Sequence, residues 1–351
     1  MKPVHFILIV INAALSLVTF ASYFSVYFHP SHHAFLPLLG IVFPYLIGFH
    51  FFFLLYWVLR FKKYFLLSSV TLIVGWPWIN NHIQFNNSYY EQQKSDWVLI
   101  SYNLHHNYDI QPLKKSGRWG DAIKDWNQFI KTYPRLDILC VQENPKGTSV
   151  ELSGLDNLTF FHQCRARGPS IHSRYRIINS GCIDLGNTVN GVIYADIERE
   201  KGDVIRVYNV HLQSNQVSDM TQPFLQENEI RKGENIEKSK QILGRFVQAS
   251  QMRGDQILDV LEHIDQSPYP TIVAGDFNEG PQSFVYQKVN RKLMDSFVQK
   301  GLGVSSTYAG NLPLLRIDHI FHDESWETQH YQVGEVPFSD HYPVAVSLRR
   351  K

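Results

Sequence analysis

The sequence predicts a two-part chain, a helical membrane region followed by a soluble α/β domain. Three observations carry this. Residues 4–28 and 35–59 contain no Asp, Glu, Lys or Arg, and each exceeds the ~20 apolar residues needed to cross a hydrocarbon core. The composition changes abruptly near residue 80, and beyond it short apolar runs of period two alternate with charged stretches whose apolar residues recur at helical spacing. The stretch 96–351, about 250 residues, lies within the range that a single two-sheet domain fills.

Bulk properties narrow the function classes. The 351 residues carry a formal net charge of +1, with none of the basic excess that nucleic-acid-binding domains usually show. That weighs against DNA or RNA as substrate. Sixteen histidines beside three cysteines disfavour a thiolate zinc site and a dense disulfide framework.

The membrane region is assigned to residues 1–79. After the two long runs, residues 64–79, YFLLSSVTLIVGWPWI, are also uncharged. At ~1.5 Å per residue this run reaches only ~24 Å, a short third span or a re-entrant or interfacial segment. Lys2 before an apolar run also fits a cleavable signal peptide, but the first run is long and lacks a small-x-small site. Further apolar runs follow it, so an uncleaved anchor is the better reading. Lys2, Arg60, Lys62 and Lys63 flank one side, whereas residues 29–34 hold no Lys or Arg. The positive-inside rule then puts the amino terminus in the cytoplasm, and three spans put everything beyond residue 80 outside it. The expectation is a multi-pass protein of the cytoplasmic membrane with an extracytoplasmic domain. Trp76, Trp78, Tyr89 and Tyr90 fit an interfacial belt, and His5 and His50 fit helix–helix hydrogen bonding. The polar residues 80–95 read as a tether to a domain covering 96–351.

Within that domain the elements follow in order. WVLISYN, residues 97–103, alternates as a strand ending at Asn103. Residues 119–131 form an amphipathic helix burying Trp119, Ile123, Trp126 and Ile130, ended by Tyr133-Pro134. Residues 136–141 are a buried strand running into Gln142-Glu143, where a carboxylate is well placed to bind a metal. Strands follow at 159–164, 170–178 and 191–197. Arg167, Arg174 and Arg176 among them are either phosphate contacts or surface charge. In 204–212, Val207, Asn209 and His211 share one face. Residues 226–264 read as one or two solvated helices. The strand from Thr271 opens onto Gly275 and presents Asp276 and Asn278 on one side. Asp318 lies on the apolar strand 316–321, and Asp340-His341 precedes a final strand.

These residue types suit hydrolysis of a phosphate ester. A carboxylate and an amide such as Asp276 and Asn278 can orient a water and hold a phosphoryl oxygen. An Asp beside a His can fix its tautomer while another carboxylate meets a cation. Carboxylates and amides are hard oxygen ligands, favouring Mg²⁺ or Mn²⁺ over zinc or copper. No residue is placed as a covalent nucleophile, and the G-x-S-x-G and Walker patterns are absent.

In chain order SYN, VQEN, YNVHL, GDFN, RIDHIF and SDH resemble the motif series of the deoxyribonuclease I-like endonuclease/exonuclease/phosphatase superfamily, over residues 97–349. GDFN and SDH carry most of the specificity. The chain resembles a membrane-anchored, bacterial-type member. The resemblance implies a four-layer α/β sandwich of two packed, mainly antiparallel sheets with flanking helices, and divalent-metal-dependent cleavage of a phosphate ester. It implies that Glu143 is the principal metal ligand, joined by Asn103 and, on the metal side, Asp340. Asp276 then orients or deprotonates the attacking water, and Asn278 holds that water and a phosphate oxygen. His211 hydrogen-bonds the scissile phosphate, His341 stabilises charge growing on its oxygens, and Asp318 orients His341. One departure is His105, where some relatives carry an acidic residue; it leaves a second metal position there in doubt, with His105 and His106 otherwise simple loop residues.

The sequence therefore reads as a membrane-embedded, metal-dependent hydrolase, a phosphodiesterase first. An extracytoplasmic nuclease and a catalytically silent module with the same fold are the alternatives. A flexible tether of about sixteen residues covers roughly 20–25 Å, which keeps the domain beside the bilayer and favours a phospholipid head group over nucleic acid. No protein partner is implied. An outside location permits a Cys164–Cys182 disulfide, with Cys140 a core residue.

Overall fold

The computed structural model describes residues 3–86, 89–105, 110–143, 155–186, 190–215, 232–310 and 313–351, with residues 110, 111 and 232–239 described in backbone only. The predicted helix over 226–264 is a single helix, Lys232–Asp265, in its described part.

The amino-terminal region is a helical bundle. Helices α1 (Pro3–Ser25) and α2 (Leu36–Leu59) are long and apolar enough to cross a membrane. The packing of α1 is inverted relative to a water-soluble core, whereas α2 buries mainly apolar residues, Phe43, Ile47, Phe53 and Trp57 among them. The side chains α1 buries are mostly polar, Asn12, Ser16, Thr19 and Ser22 among them, whereas Phe6, Ile7, Val10, Leu17 and Phe24 face outward. His50 of α2 joins that interior, 3.1 Å from Thr19 Oγ1 and 3.2 Å from Ser68 Oγ, as helix–helix hydrogen bonding requires.

The stretch 64–79, expected as a short third span or a re-entrant or interfacial segment, is divided between two helices. Helix α3 (Phe65–Val74) has ten residues, about 15 Å of rise, and a one-turn helix α4 (Trp76–Ile79) follows the break at Gly75. A Cβ at Gly75 would meet the Tyr23 hydroxyl at 2.0 Å, so glycine admits the tyrosine and Pro77 restarts the helix. The segment lies along α1, with Ser68 donating to Asn12 Oδ1 and Thr71 to Ser16 Oγ. The chain is thereby carried back to the end of the bundle where the α1–α2 linker lies. The four residues expected in an aromatic belt differ in their surroundings. Trp76 and Tyr89 are exposed, but Trp78 stacks on Tyr23 and Tyr90 on His330.

Residues 80–95 are not a free tether. Strand β1 (Gln84–Phe85) pairs with β11 (Leu302–Gly303). Arg316 donates to the Asn81 carbonyl, and Gln92 and Arg135 exchange two hydrogen bonds. These contacts tie the described part of the segment to the domain at several points, so the random-coil reach does not apply.

The remaining strands build two six-stranded sheets. One holds β2 (Trp97–Asn103), β3 (Ile138–Gln142), β4 (Phe160–Gln163), β5 (Ser170–Ser173), β13 (Trp326–Val333) and β14 (Val344–Arg350), in the order β13-β14-β2-β3-β5-β4. The other holds β6 (Arg176–Ile183), β7 (Gly191–Glu198), β8 (Val204–His211), β9 (Thr271–Asp276), β10 (Met294–Asp295) and β12 (Asp318–His322), in the order β10-β12-β9-β8-β7-β6. Only β2/β3 and β8/β9 pair in parallel. The predicted strand over 170–178 is two strands. The chain turns at Arg174-Tyr175, where the Tyr175 amide donates to Ser173 Oγ, and crosses from one sheet to the other.

Alternation explains the layering. Trp97, Leu99, Ile138 and Cys140 face Ile193, Ile205, Val207, Ile272 and Ile320 between the sheets. Val98, Ile100 and Tyr102 point to the other side, against Ala122, Trp126 and Phe129 of α6 (Trp119–Ile130), which follows the short α5 (Ile110–Lys115). Tyr208, Val210, Val273 and Phe321 take Ile257, Val260 and Leu261 of α7 (Lys232–Asp265) and Val285 and Val289 of α8 (Phe284–Asn290). A helix α9 (Ser296–Lys300) completes the set. The result is a four-layer sandwich, as expected, with both central parallel pairs ending at the same edge.

Candidate active site

Asp276 is the last residue of β9 and lies opposite His211 on β8 and Asp318 on β12. Gly275 precedes it at φ +143°, where a Cβ would meet the Val210 carbonyl at 1.9 Å. Only glycine lets β9 approach β8 that closely. The Asp276 carboxylate accepts from Asn103 Nδ2 at 3.0 Å, Asn278 Nδ2 at 3.1 Å and the Asn278 amide at 2.8 Å. Those donors favour its charged form, yet burial is the larger influence and raises its pKa.

Two imidazoles flank this carboxylate. His341 Nε2 and His211 Nε2 each lie 3.8 Å from Asp276 Oδ2. His341 Nδ1 is 2.9 Å from Asp318 Oδ2, and Thr307 Oγ1 accepts from the Ile317 and Asp318 amides, fixing the strand start. Burial works against a charged His341, but the carboxylates of Asp318, Asp276 and Asp340 outweigh it and hold the imidazolium well above the ordinary range. Glu143 sits just past β3, with Oε1 3.5 Å from His211 Nε2. Asp340 Oδ1 lies 3.4 Å from His105 Nδ1, and the His105 amide donates to Asn103 Oδ1.

All eight residues expected from the sequence, Asn103, Glu143, His211, Asp276, Asn278, Asp318, Asp340 and His341, thus belong to one connected cluster at the ends of both sheets. Three of its members, His105, Glu143 and Asn278, adopt positive φ, a conformation disfavoured for side chains bearing a Cβ and concentrated at functional sites. His105 is more than a loop residue, since it bridges Asn103 and Asp340. His106 lies outside the described residues. Arg174 and Arg176 flank the sheet crossover, at the opposite end of β5 from Ser170, which pairs with Val141 near the site. Arg167 is exposed, and none of the three joins the cluster.

Two neighbours escaped the sequence reading. Asn190 Nδ2 lies 3.0 Å from His211 Nε2, and the Tyr308 ring packs edge-on against His341 at 5.6 Å. Burial, then Asp340 and Asp276, raises the Tyr308 pKa. Neither residue lies in a motif; each reaches the site from a connection remote in sequence.

The cluster suits a divalent cation. Asp276, Asp318 and His341 offer ligand atoms within 4.8 Å of one another. His341 Nδ1 and Asp318 Oδ2 already share a hydrogen bond, and Asn103, Glu143 and Asp340 are the further hard oxygen donors of the cluster. Among the described residues, the charged partners of Asp276, Asp318 and Asp340 are histidines, and Asp318 Oδ1 is buried without a partner. Such an excess of carboxylate calls for positive charge. The other metal-compatible group, His162, Cys164 and Cys182, has its two sulfurs joined in a disulfide.

Residues 100–341 match the model of the Endonuclease/Exonuclease/phosphatase family, and residues 5–82 match a model described only as a domain of unknown function. Solved structures that share the fold include two of similar length to the matched part of the chain. A humanized D. rerio TDP2 with 14 mutations is 18% identical, covering 73% of this chain and 100% of its own, at a TM-score of 0.51. An endonuclease/exonuclease/phosphatase from Bacteroides vulgatus is 18% identical, covering 74% and 100%, also at 0.51. No curated protein matches.

Proposed function

This chain belongs to the endonuclease/exonuclease/phosphatase family, and from that premise we propose that it is a membrane-anchored, Mg²⁺- or Mn²⁺-dependent phosphodiesterase that cleaves its ester by in-line attack of water. The observation that carries the reading is the surroundings of Asp276, a buried carboxylate held by Asn103 and Asn278 with His211 and His341 equidistant from it.

In this reading Asp276 takes or aligns the proton of the attacking water, and Asn278 holds that water against a phosphoryl oxygen. His211 donates to the phosphate, and His341 meets the charge that develops on its oxygens. Asp318 is a positioning residue, acting through His341 Nδ1. Glu143, Asn103 and Asp340 hold the metal, which when bound polarises a phosphoryl oxygen as a Lewis acid.

Anchoring is supported by the length and exposed apolar surfaces of α1 and α2 and by the polar face that α1 buries, which suit a hydrocarbon solvent. The buried polar face of α1 makes it a structural member, against removal as a signal peptide. The domain packs at the bundle end bearing the linker without Lys or Arg, opposite Arg60, Lys62 and Lys63, which supports an extracytoplasmic domain. The Cys164–Cys182 disulfide fits an oxidising compartment. Proximity to the bilayer favours a phospholipid head group over nucleic acid. The test is turnover by detergent-solubilised protein of mixed phospholipid micelles and of plasmid DNA, each with Mg²⁺ and with chelator. Release of head groups that stops on chelation is the expected result; nicking of plasmid alone would favour a nuclease.

A further inference from the structure

The Tyr45 hydroxyl of α2 donates to the Pro313 carbonyl at 2.8 Å. Tyr45 lies about 13 Å of helix rise below the first residue of α2. Counted from Leu59 beside the basic cluster, a hydrocarbon core of about 30 Å takes up some 20 residues and reaches roughly residue 40. The loop at Pro313 therefore hangs beside the bundle at the level where head groups meet acyl chains. Leu314 is 39% exposed there, at φ +68°. The β1–β11 ribbon adds Phe85 and Leu302, register partners exposed to 76% and 56%.

The other end of the same connection reaches the catalytic cluster. Thr307 receives the Ile317 and Asp318 amides, and Tyr308 forms a backbone bridge with His341 and packs against its ring. A cavity of about 590 Å³ opens beside the ribbon, against β13, lined among others by Asn86, Leu302, Ser306, His330, Gln332 and Tyr342, and none of the eight cluster residues lines it.

We propose that the β1–β11 ribbon and the loop at Leu314 form a lip seated in the lipid head-group layer, through which the site draws its substrate from the bilayer. The substrate class is then a membrane amphiphile with the scissile phosphate in its head group. The substrate half rests on the phosphodiesterase reading above; the lip itself does not.

The experiment uses the full chain in nanodiscs of phosphatidylcholine and phosphatidylglycerol. Cys140 is buried and the other cysteines are paired, so Leu314→Cys, Phe85→Cys and a control, Phe161→Cys on exposed β4, can each be labelled with bimane. Brominated phosphatidylcholine is expected to quench positions 314 and 85 and to spare 161. Absence of quenching at 314 and 85 overturns the lip. Second, the double variant Phe85→Asp, Leu314→Asp is expected to lower the ratio of phosphatidylglycerol turnover to bis(4-nitrophenyl) phosphate turnover about tenfold, as loss of two apolar membrane contacts implies. An unchanged ratio overturns the substrate half. If the unmodified chain turns over neither compound, the phosphodiesterase reading and this substrate class both fall, while quenching still decides the lip.

Discussion

Asn103 Nδ2 donates to Asp276 Oδ2 across 3.0 Å, and that bond ties the end of β2 in one sheet to the end of β9 in the other. The site is thus assembled by sheet packing as much as by any single motif. Asn103→Ala removes both a donor to Asp276 and an oxygen from the metal side. It should lower kcat by about 10–100-fold and cost about 1 kcal/mol of stability. Steady-state kinetics with a thermal melt check this, and unchanged kcat would remove Asn103 from the site.

His341 and Asp318 should separate by severity. His341→Ala deletes the donor, for a loss of about 10²–10³ in kcat. Asp318→Ala leaves the imidazole and loses its orientation, for a smaller loss of about 10–100-fold. Parallel kcat measurements decide, and the reverse order would contradict the roles given to the pair.

Metal binding has a readout independent of turnover. Saturation at about 100 times Kd stabilises the folded chain by about 2.7 kcal/mol, equivalent to roughly 5–10 °C in Tm for a domain of this size. Mg²⁺ added to chelator-treated protein should raise the melting temperature by that order. Glu143→Gln should abolish most of the rise. An equal rise in the variant would place the ion elsewhere.

The Cys164–Cys182 bond closes a loop with a sequence separation of 18 and joins the segment after β4 to β6, edge strands of different sheets. Loop-closure entropy for that length is worth about 3 kcal/mol. The Cys164→Ser, Cys182→Ser double variant should melt roughly 6–12 °C lower. Thiol counting on the denatured, unreduced protein should find Cys140 alone, and three free thiols would show the bond unformed.

Much of this was legible from local chemistry. Residues 97–103 and 271–276 announce strands because their alternation faces a core on both sides, and each ends in polar groups too well placed to be incidental. The crossover at Arg174-Tyr175 was hidden, because β5 and β6 form one continuous β-favouring run and only packing divides them between sheets. β13, WETQHYQV, escaped notice because an edge strand mixes polar and apolar residues on both faces. The break at Gly75 follows from Tyr23, far away in sequence. Asn190 and Tyr308 carried no signal of their own, since their relation to His211 and His341 exists only in three dimensions.

In the proposed function Asp276 prepares the water that attacks a phosphate ester. Asp276→Asn is nearly isosteric and keeps the Asn103 and Asn278 neighbours, so the domain should remain folded by circular dichroism and thermal melt. With Mg²⁺ and bis(4-nitrophenyl) phosphate, kcat should fall by about 10²–10⁴ relative to the unmodified chain. Turnover within a few-fold of the unmodified chain, in a folded variant, would contradict the account.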